Sequence, residues 1–341
     1  MKKRGLILGS LAVTATVVLS GCTTGSVPEP GPDMGNAAAV VSPAATDPAG
    51  RIIDIPAERA GITDMELAGE IIALRSENTL SIGELSAQES GAAEVLAIDS
   101  TCGDLAVSGA GDTFTLPCGN TLYLIDALNP NLDEVLELQA PATVATQTST
   151  GEVLVGNDVE DSLTIYRAGE EATTFAVEGA NTQLISVPVK GQPDAVVRTW
   201  NPETLIQDVD WTNDRQGATL RVGIGLGQMA GGPDGLVLVS DNLAPQIAVY
   251  SATDIIRLHQ TAPVDESPWG LAWDPANELA WIASTAENTL SAYDISEGVP
   301  TEQAKLNSVA DAKNILVLQD GTLLAASESG DGLQVIEQPL S

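Results

Sequence analysis

A pattern of apolar strand, polar turn and second apolar strand returns seven times along this chain, and it constrains the fold more than any other feature. It is read in IIALRSENTLSIGEL from Ile71, TFTLPCGNTLYLID from Thr113, EVLVGNDVEDSLTIYR from Glu152 and DAVVRTWNPETLIQDV from Asp194. It continues in LVLVSDNLAPQIAVYS from Leu236, LAWIASTAENTLSAYD from Leu279 and TLLAASESGDGLQVIE from Thr322. Asn78, Asn120, Asp161, Asn288 and Asp331 fall in register at the turns, with Thr204 and Gln246 in the weaker units. From Asn78 to Asp331 six steps give about 42 residues per unit, the spacing of a propeller blade. Asn and Asp suit the hinge because their side chains close tight turns and tolerate positive φ.

Two further strands complete each unit. One precedes the pair, as in Trp269-Gly270-Leu271-Ala272-Trp273 ahead of Asp274-Pro275. One follows it, as in Ile255-Ile256-Arg257-Leu258. The last unit stops near Gln338, short of its fourth strand, and Arg51-Ile52-Ile53-Asp54-Ile55 is free to supply it. Closing the ring from the other terminus removes an open edge that would invite association. The expectation is therefore an all-β, seven-bladed β-propeller over residues 51–341, closed by an N-terminal strand. Six and eight blades are the alternatives, because the fourth unit is degenerate. Unit length, with Gly232-Pro233-Asp234-Gly235 and Trp273-Asp274-Pro275, resembles the YVTN/NHL class of propellers, as found in bacterial, including actinobacterial, surface lipoproteins. That resemblance implies a fold and is nearly silent on function, since propellers host enzymes, scaffolds and binders alike.

Ahead of the ring, Leu19-Ser20-Gly21-Cys22 ends an apolar stretch that follows Lys2, Lys3 and Arg4. The stretch from Leu6 to Leu19 is about 14 residues, short of the ~20 that cross ~30 Å of hydrocarbon. A basic start, a short apolar core and small residues before a cut make an export signal over residues 1–21. The segment resembles the lipobox of bacterial lipoproteins. The resemblance implies a diacylglyceryl group on the Cys22 thiol, cleavage before it, and residence on the extracytoplasmic face of the cell membrane. An ordinary secretory signal with a chance cysteine and an uncleaved membrane anchor are the alternatives. Residues 22–50, with Pro28, Pro30, Pro32, Pro43 and Pro48 and no apolar period, read as a disordered tether.

The whole chain carries 14 basic and 47 acidic residues. That balance argues against nucleic acid, which needs clustered Lys and Arg, and against electrostatic docking on anionic lipid. The membrane is then held through lipid alone. Of the three cysteines, Cys102 and Cys118 flank the turn Ala110-Gly111-Asp112. A hairpin about Gly111 brings them opposite each other, and export to an oxidising compartment favours a disulfide worth ~3 kcal/mol in the chain-entropy account. Two buried free thiols are the alternative.

Chemistry is harder to find. The one histidine, His259, ends a strand and has no partner for a zinc, copper or haem site. No Gly-x-Ser-x-Gly elbow or P-loop is present, and Gly223-Ile224-Gly225-Leu226-Gly227 lacks the spacing of a dinucleotide site. No cofactor is called for. Asp208, Asp210, Asn213 and Asp214 offer oxygen ligands for calcium but lack EF-hand spacing, and read better as a solvated loop. Trp200, Trp211, Trp269, Trp273 and Trp281 stand out in a chain with 3% aromatics. Trp269 begins an innermost strand and is expected to face the central funnel, with Thr101, Thr143, Thr182, Met229 and Lys313 at comparable positions. Trp273 and Trp281 are expected between blades. The reading is a non-catalytic binding or scaffolding propeller for a protein, peptide or glycan partner in the envelope. The alternatives are a lactonase- or hydrolase-like enzyme with a divalent cation in the channel, and an accessory subunit of an envelope membrane complex.

Overall fold

The computed structural model describes residues 34–341; the expected signal segment and Cys22 lie outside the described residues. Seven antiparallel sheets form the ring, in chain order. The innermost strands are Asp64–Ala68, Ala106–Val107, Val144–Gln147, Gln183–Val187, Leu226–Gly231, Pro268–Asp274 and Ala312–Val317. Blade two contains the long element Thr113–Asp126. The Ala127 N–H donates to the Asp112 carbonyl at 2.9 Å, so that element doubles back on itself and supplies two strands. The turn is made at Gly119, where φ is +62°.

The turn markers lie at or beside the turns between the second and third strands of the blades, as expected, but the reason holds only in part. Thr204 and Asn288 take left-handed backbone, at φ 54° and 51°. In blades two and seven the neighbouring glycines Gly119, Gly330 and Gly332 carry the positive φ instead. Ring closure follows the sequence expectation. Arg51–Ile53 pairs antiparallel with the last strand, in the register Arg51 to Val335 and Ile53 to Leu333.

The core lies between blades and not within one sandwich. Side chains alternate across each strand, so one strand feeds two interfaces. Val237 and Val239 pack toward blade four, while Leu238, between them, packs toward blade six. Trp281 and Ala283 face blade seven, and Ala280 and Ile282 face blade five. Burial on both faces is why these strands read as continuous apolar runs.

One charge sits deep in this core. Arg198, in the second strand of blade four, is fully buried. Its Nε donates to Asn181 Oδ1 at 2.7 Å, and its terminal nitrogens donate to Gln207 Oε1 at 2.5 Å, Glu178 O at 3.0 Å and Gly179 O at 2.8 Å, and to Ala180 O. The side chain thus holds the loop that leads into the innermost strand of the blade.

Residues 34–50 differ from the expectation of a free tether. They lie along the face that carries the interblade connections of blades five to seven. Gly35 N–H donates to Ile224 O at 2.8 Å and Val40 N–H to Ser267 Oγ at 2.9 Å. Ser42 exchanges bonds with Asp311, its N–H donating to Oδ1 and its Oγ accepting from the Asp311 N–H, both at 2.8 Å. Asn288 and Gln334 donate to the carbonyls of Pro43 and Ala49, at 2.8 and 2.7 Å. An extended proline-rich chain has no internal backbone bonds, so it is free to take them from elsewhere. Its partners lie 189 to 285 residues ahead, in loops and in the last strand, which is why composition alone reads it as a tether.

Candidate functional site

The innermost strands surround a channel cavity of about 430 Å³. This is within the size range of small-molecule sites. One wall comes from blades one and two and is acidic: Asp64, Glu66 and Asp104 all line it. The rest is apolar, with Ile185, Met229, Leu271, Trp273 and Ile315, interrupted by the amides Gln183, Gln228 and Asn314.

The acidic wall is built by a cross-strand pair and a disulfide. Asp64 lies opposite Arg75 in the register of blade one. Arg75 reaches into blade two, donating to Cys102 O at 2.6 Å and to Gly103 O. Cys102 is bonded to Cys118, with Cα atoms 4.1 Å apart, so the expected disulfide forms. Gly103 is required here, because a Cβ would come within 2.1 Å of the Thr143 carbonyl oxygen. The loop so held presents Asp104 to the cavity and the Leu105 N–H to Asp64 Oδ2 at 3.0 Å.

These carboxyls hold protons more tightly than free ones. Burial pushes Asp64 from an ordinary value near 3.8 up to about 6, against the pull of the Leu105 N–H, the Arg75 charge and the Met65 N–H. Glu66 is raised well above its usual range by burial and by the charges of Asp64 and Asp104. Asp104 is raised likewise by burial and by Asp64, with Arg75 opposing. A carboxyl whose folded pKa exceeds its unfolded one contributes stability at low pH that is lost as pH rises. Stability should therefore fall from about pH 4 through about pH 6, and Asp64→Asn should flatten part of that slope. Urea midpoints across this range at fixed ionic strength check it. An unchanged slope in the variant would remove Asp64 as a source.

Of the residues expected at the funnel, Met229 lines the cavity, and its N–H donates to Gln183 Oε1 at 2.9 Å. The other five lie outside the lining, around the strand starts. The Trp269 carbonyl accepts from Ser240 Oγ at 2.9 Å, and its ring lies over Gly227. Thr101 is exposed and bonds Asp99 at 2.7 Å, while Thr182 Oγ1 accepts from the Asn201 N–H at 3.1 Å. The Thr143 carbonyl accepts from the Asp104 N–H at 2.7 Å, and Lys313 pairs with Glu328. Trp281 is buried between blades as expected, but Trp273 turns to the cavity. Trp211 is also buried, its indole N–H donating to Asp194 O at 2.9 Å. Trp200 lies against Gly179.

The carboxylates weighed for calcium are occupied otherwise. Asp208 accepts from the Ala218 and Ile256 N–H groups at 2.9 and 3.1 Å. Asp210 pairs with Arg215 and Asp214 with Arg167, both at 2.6 Å, and Asn213 donates to Asp210 at 2.8 Å. Among the described residues no three His, Cys, Asp or Glu side chains are grouped to hold one metal ion. His259 is exposed on the outermost strand of blade five, 2.7 Å from Ser251 Oγ.

The sequence expectations name none of Asp64, Glu66 and Asp104, although a signal is present. Each lies on or beside an innermost strand, where other units carry the amides Gln183, Gln228 and Asn314 or apolar residues. Three acids gathered at that strand position in two consecutive units break the pattern of the repeat.

No protein-family model matches the chain, and no curated protein matches it. Solved propellers do. A chain of the mitotic checkpoint complex superposes with a TM-score of 0.67 at 17% identity, covering 88% of this chain and 98% of that one. Hydrazine synthase of Kuenenia stuttgartiensis gives 0.64 at 11%, covering 84% and 98%. Streptogramin B lyase gives 0.64 at 12%, covering 84% and 96%. At these identities the likeness shows the fold alone.

Proposed function

We propose that this chain is a lipid-anchored protein of the extracytoplasmic membrane face whose propeller is a non-catalytic binding module for an envelope partner. The observation that carries the binding reading is the channel cavity, lined on one side by carboxyls and on the other by apolar side chains. Two lining hydroxyls donate to carboxylates, Ser186 to Asp194 at 3.0 Å and Ser108 to Asp112 at 3.1 Å, but no histidine or lysine lines the cavity, and the one histidine sits on an outer edge. Likeness to scaffolding and enzymatic propellers is neutral between the readings. Among the described residues no three acidic side chains are grouped to hold a shared divalent cation.

The lipobox supports the anchor. Eleven residues, 23–33, separate Cys22 from the segment laid on the disc. Fully extended they reach at most about 40 Å. The ring is therefore held closer to the membrane than a free tether through residue 50 would hold it.

Palmitate labelling of the full chain in a lipidating bacterial host tests the anchor. Cys22→Ser should abolish the label and release the protein from membranes; a variant that still took label would overturn the lipobox assignment. Affinity capture from those membranes, with the anchor intact and at native levels, tests the binding module. Failure to recover any reproducible partner would count against it.

A further inference from the structure

We propose that the channel cavity is a site for an organic ammonium ion, a protonated primary amine carried on an apolar body. The proposal rests on the channel being the binding site, and adds the chemistry of what enters it. The cavity lining joins an acidic wall from blades one and two to apolar side chains of blades five to seven, Met229, Leu271, Trp273 and Ile315. A ligand that satisfies both walls has a cationic end and an apolar body.

The acids of the wall differ from others in the ring. Asp194 accepts from Ser149 N–H and Oγ and from Ser186 Oγ, at 2.6 to 3.0 Å. Asp274 accepts from the Ala276 and Asn277 N–H groups, both at 3.0 Å. Asp64 is likewise occupied, by Leu105 and Met65 N–H groups at 3.0 and 2.9 Å. Among the described residues no protein donor reaches the carboxyls of Glu66 and Asp104, and burial and neighbouring charges act on them. Both are half-buried at the cavity wall, so a ligand that enters can meet their carboxyl oxygens. A single metal ion is a poor fit, since calcium needs six to eight oxygens around one point and these carboxyls are not so grouped. An ammonium group, with three donors on one nitrogen, can serve two carboxylates at wider spacing.

The charge balance follows. The charged group beside this wall is Arg75, already committed to the Cys102 and Gly103 carbonyls. The amides Gln183, Gln228 and Asn314 on the other strands carry no charge. Burial and like charge favour the protonated forms of Glu66 and Asp104, and an ammonium ion beside them favours the carboxylate, so its binding is linked to release of protons to the buffer.

Titration calorimetry on the full chain in non-ionic detergent, with phenethylammonium chloride as probe, tests this. The expected result is saturable one-to-one binding with a heat that varies with the buffer's ionisation enthalpy. Glu66→Gln and Asp104→Asn should each weaken binding at least about tenfold, a difference of ~1.4 kcal/mol, and the neutral isostere 2-phenylethanol should bind at least about tenfold more weakly. Thermal unfolding of both variants checks that they remain folded, and a conservative change at the exposed Glu266 serves as control. Equal binding of 2-phenylethanol, or wild-type affinity in both variants, would overturn the ammonium assignment while leaving the channel as a ligand site. Saturable calcium binding in place of the amine would overturn it in favour of a metal. No saturable binding of either organic probe up to about 10 mM would overturn the channel reading as well.

Discussion

Arg198→Ala is expected to destabilise the ring by about 3 kcal/mol, since several buried acceptors lose their donor at ~1–3 kcal/mol each. The change leaves Asn181 Oδ1, Gln207 Oε1 and the carbonyls of residues 178–180 without their donor, in a site from which water is excluded. Burial pulls the guanidinium down to about 10, and Asp161 and Glu178 act the other way, so it is still charged at neutral pH. At a few degrees per kcal/mol for a domain of this size, the unfolding midpoint should drop by roughly 10 °C. Arg198→Lys should recover little, since an ammonium cannot span five acceptors laid out for a planar fork. A loss below about 1 kcal/mol for the alanine variant would mean that water enters and replaces the side chain. The consequence would extend to the channel, because the loop that Arg198 holds leads directly into Gln183 on the cavity wall.

Deleting residues 34–55 is expected to be more damaging than deleting residues 34–49 alone. The shorter deletion removes a segment held by hydrogen bonds to surface loops, and water can take over most of its partners. The longer one also takes Ile53, 7% exposed, out of blade seven. Losing that burial costs about 1.5–3 kcal/mol. It also frees the edge of Leu333–Ile336, whose side chains are buried in the closed ring. An unpaired edge of this kind is a template for another chain, so the deleted protein should associate as its concentration rises. Urea unfolding and sedimentation velocity on both deletions check this. Equal stability and a monomer in both would show that the closing strand contributes no more than the segment before it.

The blade repeat was legible because it is local: each unit must place apolar residues on both faces of short strands and turn back every few residues. The ring closure was legible because the last unit lacked a strand and the first segment offered one. The cysteine pair was legible because a single hairpin brings the two together. Trp273 was misplaced because strands buried on both faces show no polar side from which to choose its direction. Residues 34–50 were misread because hydrogen-bond partners such as Ser267, Asn288 and Asp311 lie more than two hundred residues ahead.

The sequence by itself determined the all-β class, the blade period, the closing strand and the disulfide. Each depends on spacing within a unit or on one hairpin. Only the tertiary structure decided that Asp64, Glu66 and Asp104 share a wall, that Trp273 lines the same channel, and that the proline-rich segment lies on the disc. The physical reason is the ring itself. Closing seven blades brings together side chains contributed by separate repeats, and burial in that shared cavity, absent from any local stretch, shifts the affinity of its carboxyls for protons.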